Sequence, residues 1–140
     1  MKGQYLTLEY IIFFGIGIIL IISVYSAFSD INQKYEVTTT EYQLKMTGEM
    51  IMGNIIRLYE ASNYTGTKIE YDLPIPERLS NCIYSIRAVG NMLRLECLES
   101  LPLGVDLTLY NFNIKIKNNI IYSTESSIHF TAYEGKVELE

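Results

Sequence analysis

The chain has 140 residues, with 11 Lys plus Arg against 16 Asp plus Glu and a formal net charge of −5, which bounds it to about one domain. That acidic balance excludes a generic nucleic-acid surface, because phosphate backbones are bound by clustered Lys and Arg. Two Cys and one His are too few for a structural zinc site built from this chain alone. Hydrophobic content of 49% with mean hydropathy +0.13 is high for a soluble protein, and the excess sits in one place.

Residues 10–28, YIIFFGIGIILIISVYSAF, hold no charged, amide or proline residue. As a helix these 19 residues rise about 1.5 Å each, roughly 28 Å in all. That is enough to cross a hydrocarbon core of about 30 Å. A lone segment in lipid must be helical, since lipid offers backbone N–H and C=O groups no partner. A buried core helix is the competing reading, but the remaining chain is too short to surround a helix that is apolar on every side. A secretory signal peptide would carry an apolar region of about 7–15 residues and a small-residue cleavage site. This run is longer and passes into Ser29, Asp30, Ile31, Asn32 and Gln33 without such a site. The segment is expected to stay on the mature protein.

Lys2 and the initial amine precede the run, whereas Asp30 and Glu36 follow it, with Lys34 between them. The positive-inside bias therefore predicts a cell-membrane protein with a cytoplasmic N-terminus and an extracellular remainder. Glu9 stands at the start of the apolar run, where an ionisable group is costly. It either reaches the headgroups or is kept for a partner charge.

The stretch Lys2-Gly3-Gln4-Tyr5-Leu6-Thr7-Leu8-Glu9-Tyr10, followed at once by the apolar helix, resembles the class III signal sequence of archaeal type IV pilin-like proteins. In that family a short basic leader ends in Gly or Ala, and a prepilin-type signal peptidase cuts before the apolar stretch. The resemblance implies a leader of residues 1–3, a cut between Gly3 and Gln4, and a new N-terminus at Gln4. It also implies that Glu9 pairs with the freshly cut amine of a neighbouring subunit, a buried charge used for register rather than stability. Counted from Gln4, Glu9 is the sixth residue, where the family's glutamate is the fifth. Either this subgroup carries one extra residue, or the cut follows Gln4. The implied partners are the membrane, the peptidase and other pilin-like subunits, and the implied role is a minor or accessory structural subunit of a pilus-type filament or membrane complex. The alternative is an uncleaved single-pass protein that holds a binding or stator domain outside the membrane.

Beyond the span, the spacing predicts that the helix continues to Ser62 as residues 4–62. Leu44, Gly48, Ile51, Ile55, Leu58 and Ser62 recur at three- and four-residue steps and mark an amphipathic part over residues 41–62. Met46, Met50, Met52, Ile56 and Tyr59 are expected to widen that apolar face, which packs onto a sheet. Residues 37–40, Val-Thr-Thr-Thr, are β-branched and lower helix propensity. They form either a weak stretch of ordinary helix or a flexible joint. Asn63-Tyr64-Thr65 is an N-x-T glycosylation acceptor in the loop that ends the helix.

From Lys68 the period changes from 3.6 to 2, and residues 67–140 read as a β-rich extracellular head. Ile69, Tyr71 and Leu73 alternate with charged residues until Pro74 and Pro76. Further strands are expected over residues 83–89, 92–98, 105–110, 113–117, 120–123, 127–133 and 136–140, with turns at Gly90-Asn91, Gly104, Asn118-Asn119 and Gly135. The segment from Leu73 to Arg78, before Tyr84-Ser85-Ile86, also resembles pilin-related heads. The expected class is α+β, a long N-terminal helix followed by an antiparallel sheet that curls towards a sandwich.

Apolar stripes on residues 82–88 and 93–97 leave two registers for their hairpin. A residue-number sum of 179 sets Cys82 opposite Cys97; a sum of 181 puts Gly90-Asn91 in the turn and leaves the cysteines diagonal, at about 7–8 Å. Two cysteines on one face of an exported hairpin suggest a disulfide, with two buried thiols as the alternative. No Ser-His-Asp grouping, HExxH or phosphate loop occurs. His129 points away from Ile128 and Phe130, and Gly15 and Gly17 are expected to let helices approach. No catalytic, cofactor or metal residue is assigned, and an enzyme is not expected.

Overall fold

The computed structural model describes residues 2–89, 92–99, 103–109, 113–116 and 120–140. The chain is α+β: one long helix, α1 (Lys2–Thr65), followed by eight strands among the described residues. It divides into two compact units, Met1–Glu36 and Val37–Glu140. The division falls at the start of the β-branched run, which is helical throughout.

In Val37–Glu140, the second half of α1 supplies one wall of a core. Thr40, Leu44, Thr47, Gly48, Ile51, Ile55 and Ser62 are buried along one face. Each fully buried Leu or Ile contributes roughly 1.5–3 kcal/mol. The compact unit that holds the strands spans Val37–Glu140 and so includes this buried helical face. Met46 and Met50, expected on the core side, are exposed at 49% and 39%. At about 100° per residue, Met46 lies roughly 140–160° and Met50 roughly 100–120° round the helix from Leu44 and Ile51. Met52, Leu58 and Tyr59 do pack against the core.

The helix runs past Ser62 to Thr65. Gly66 then takes a left-handed conformation (φ 65°), and its N–H donates to the Ser62 carbonyl at 2.9 Å, a glycine cap that closes the last turn. Asn63 accordingly lies in the final helical turn, not in a loop.

The strands are β1 (Ile69–Pro74), β2 (Tyr84–Val89), β3 (Met92–Cys97), β4 (Gly104–Thr108), β5 (Asn113–Ile116), β6 (Ile121–Tyr122), β7 (Ser127–Tyr133) and β8 (Lys136–Leu139). They form two four-stranded sheets, ordered β1-β7-β8-β5 and β4-β3-β2-β6, rather than one. All pairings are antiparallel except β5 with β8. That parallel contact is possible because the chain between them, through β6 and β7, is long enough for a crossover. Gly104 opens β4 instead of marking a turn, and Ser123–Glu125 form a short 3-10 helix that ends β6 early. The expected turns at Gly90-Asn91 and Asn118-Asn119 lie outside the described residues. Glu134 and Gly135 both have positive φ (45° and 71°), the two-residue turn that joins β7 to β8.

Ile86, Leu93, Leu95, Leu73, Ile128, Phe130, Val137 and Leu139 fill the core. Tyr71, expected inward, is 43% exposed. Gly48 packs tightly under the sheet: an added Cβ would collide with Leu107 Cδ1 and lie 3.0 Å from Leu95 Cδ1.

Candidate functional site

Within the first unit, residues 10–28 present an almost unbroken apolar surface. From Thr7 to Glu36 every side chain is exposed, with Phe14 at 72% and Tyr25 at 76%. The most apolar 18-residue window has mean hydropathy 2.6, and none of it is buried. By length and composition this helix can cross a membrane, and apolar surface of this extent marks a membrane or protein contact. Gly3 and Gln4 lie in the first turn of α1, and Glu9 is an exposed residue of the same helix. A Cβ added at Gly15 or Gly17 would meet nothing within 4 Å. Gly17 floors a shallow groove lined by Tyr10, Phe13, Phe14, Ile18 and Ile21.

In the head, Cys82 and Cys97 are joined by a disulfide with Cα atoms 5.8 Å apart. The register is the one with sum 181, Tyr84 opposite Cys97 and Val89 opposite Met92. The cysteines still meet because Cys82 is not on the strand. It belongs to a tight turn in which Leu79 and Cys82 exchange two backbone hydrogen bonds of 3.0 Å, so the diagonal spacing of a regular ladder does not apply.

The segment between β1 and β2 is held by residues that the sequence does not single out. The Tyr84 hydroxyl, fully buried, donates to the Pro76 carbonyl at 2.8 Å. Burial pushes its pKa up to about 12. Ser123 Oγ accepts from the Tyr84 N–H at 3.2 Å and donates to the Glu77 carbonyl at 2.7 Å. Ser126 Oγ donates to Glu77 Oε1 at 2.7 Å, and Ser80 Oγ to Gln43 Oε1 at 3.0 Å. Only Pro74 and Pro76 hint at this from sequence, by excluding regular strand there.

His129 faces outward, and its Nδ1 lies 2.6 Å from Asp72 Oδ1 across β1 and β7. Among the described residues no three His, Cys, Asp or Glu side chains are placed to hold a metal. Asn63 is exposed. On the outer face of β3 and β4, Arg94 donates to both Asp106 oxygens at 2.6 and 2.7 Å, which holds the Asp106 carboxyl below its ordinary range. Set beside known protein families, characterised proteins and solved structures, the chain matches none of them.

Proposed function

We propose that this chain is a pilin-like structural subunit, minor or accessory, that is anchored by α1 and assembles into a pilus-type filament or membrane complex at an archaeal cell surface. The observation that supports it is the contrast within α1. Its first half is apolar and uncovered, while its second half builds the core of a head that buries its own apolar face. A helix that needs nothing from its own chain is free to dock in lipid and then against other helices.

On this reading a prepilin-type peptidase removes residues 1–3, the N-terminus is cytoplasmic and the head extracellular. Glu9 then meets the amine of Gln4 in the next subunit. A carboxylate carried into an apolar bundle needs such a cation, because an unpaired buried charge is strongly destabilising. The test is N-terminal sequencing of membrane-extracted protein together with assembly of Glu9→Gln. The expected results are a sequence that starts at Gln4 and a loss of assembly in the variant. An intact Met1 supports the uncleaved anchor with an external binding or stator domain, and normal assembly of Glu9→Gln removes the pairing.

A further inference from the structure

Of the chain's nine asparagines, only Asn63 has a Ser or Thr two residues on, in Asn63-Tyr64-Thr65. The structure adds where that triplet sits. It forms the last three residues of α1, directly after Ser62, which is fully buried. All three residues are exposed, and Tyr64, at 94%, is the most exposed large hydrophobic side chain among the described residues. A bulky polar group on the Asn63 amide would therefore extend into solvent and disturb no core contact. The amide is also unengaged. Asn54, earlier on the same helix, turns its Nδ2 back to the Met50 carbonyl at 2.9 Å, whereas the Asn63 side chain takes no hydrogen bond among the described residues.

The closed turn is nonetheless a poor acceptor. Side chains two residues apart point about 160° away from each other round a helix, so the Asn63 amide and the Thr65 hydroxyl do not face one side. A triplet of this kind is taken from a surface loop, where both groups can be reached together. In the closed turn Thr65 Oγ1 is moreover engaged, donating to the Ala61 carbonyl at 2.8 Å and accepting from Thr67 Oγ1 at 2.9 Å. Little holds that turn shut. None of its three side chains is buried, and the bond from the Gly66 N–H to the Ser62 carbonyl is its cap. Terminal turns open far more readily than the core they adjoin.

We infer that Asn63 carries an N-linked glycan, attached while the last turn of α1 is still open and left in solvent once Gly66 caps the helix. The Asn63 amide nitrogen attacks the anomeric carbon of a sugar held on a lipid phosphate. A C–N bond forms there as the C–O bond to phosphate breaks; the amide gives up one proton, and the lipid phosphate leaves with the bonding electron pair. This rests on the reading of the head as extracellular, and it assigns that head a covalent modification.

The test uses the full chain purified from the membranes of the cells that make it. Trypsin releases residues 58–68, which hold no other asparagine. The expected product is a glycopeptide whose fragments place the sugar on Asn63. Asn63→Gln and Thr65→Ala are expected to lose the glycan, and Thr65→Ser to keep it. For the order of events, the full chain is made in cells without the transferase and folds with a bare Asn63. Offered to membranes that hold the transferase and the lipid-linked donor, it is expected to accept at least about tenfold less glycan than the free peptide of residues 58–68. A bare peptide from the native membranes, a sugar placed on Thr65 or Thr67, a glycan that survives Thr65→Ala, or equal acceptance by folded chain and peptide would each overturn the inference. The N-terminal sequence is a separate readout. A processed chain with a bare Asn63 defeats this inference and leaves the functional reading standing, whereas a glycan on a chain that keeps Met1 supports the inference and removes the cleavage.

Discussion

Residues 10–28 and residues 40–62 belong to the same helix and both carry many apolar side chains, yet they meet opposite surroundings. In the first stretch Ile and Phe point to every side and all are uncovered; in the second, Leu44, Ile51 and Ile55 are completely buried while Tyr42, Met46 and Met50 face out. The difference is one of patterning. An all-round apolar helix has no face left to join a small core, whereas a one-sided helix can cover a sheet and present its other side to water. The glycines repeat the lesson: a Cβ added at Gly48 would run into Leu107 and Leu95, whereas one added at Gly15 or Gly17 would meet nothing within 4 Å.

The largest effect that separates the two stretches is expected from cavity formation. Ile51→Ala should destabilise the head by about 2–5 kcal/mol, measured by urea unfolding of detergent-solubilised protein. Ile19→Ala should change head stability by less than about 0.5 kcal/mol. Equal effects would mean that residues 10–28 are part of the folded core. Next, Gly48→Ala should cost about 1–3 kcal/mol through overpacking, whereas Gly17→Ala should leave head unfolding unchanged.

The third expectation concerns pH and Tyr84. Its pKa is raised from 10.0 to about 12 in the folded chain, so between those values the unfolded chain releases a proton that the folded chain keeps. Stability from the buried phenol is therefore complete below pH 10 and is lost as pH rises towards 12. A midpoint of alkaline unfolding that is the same in Tyr84→Phe as in the parent would contradict this. The smallest effect is local. Amide exchange across residues 37–40 that is faster than across residues 50–58 would establish a joint in the β-branched run; equal protection would make it ordinary helix.

Much of the fold is legible in the sequence because patterning decides it. The alternation through Ser127 to Tyr133 gives β7 with its observed bounds, and the steps from Leu44 to Ser62 give the buried helical face. What is not legible depends on long-range partners. The division into two sheets and the parallel β5–β8 contact arise from strands far apart in sequence. The disulfide geometry is set by the Leu79–Cys82 turn, which breaks the ladder that a register argument assumes. Tyr84, Ser123 and Glu77 form their network only after the segment from Pro74 onward has been folded back, so no spacing rule exposes it. For the candidate site, the apolar run and the Asn63 triplet are plain in sequence, whereas the closure of that triplet into the last helical turn needs the observed Gly66 cap.

The central claim is that one helix serves two solvents, lipid along residues 10–28 and the head core along residues 40–62. Its most direct test is flotation of the mature protein with phospholipid vesicles, followed by intact-mass measurement of the floating fraction. The claim predicts that the protein rises with the vesicles and that its mass includes residues 10–28. A folded mature protein that stays in the aqueous fraction, or whose mass lacks that stretch, would contradict it.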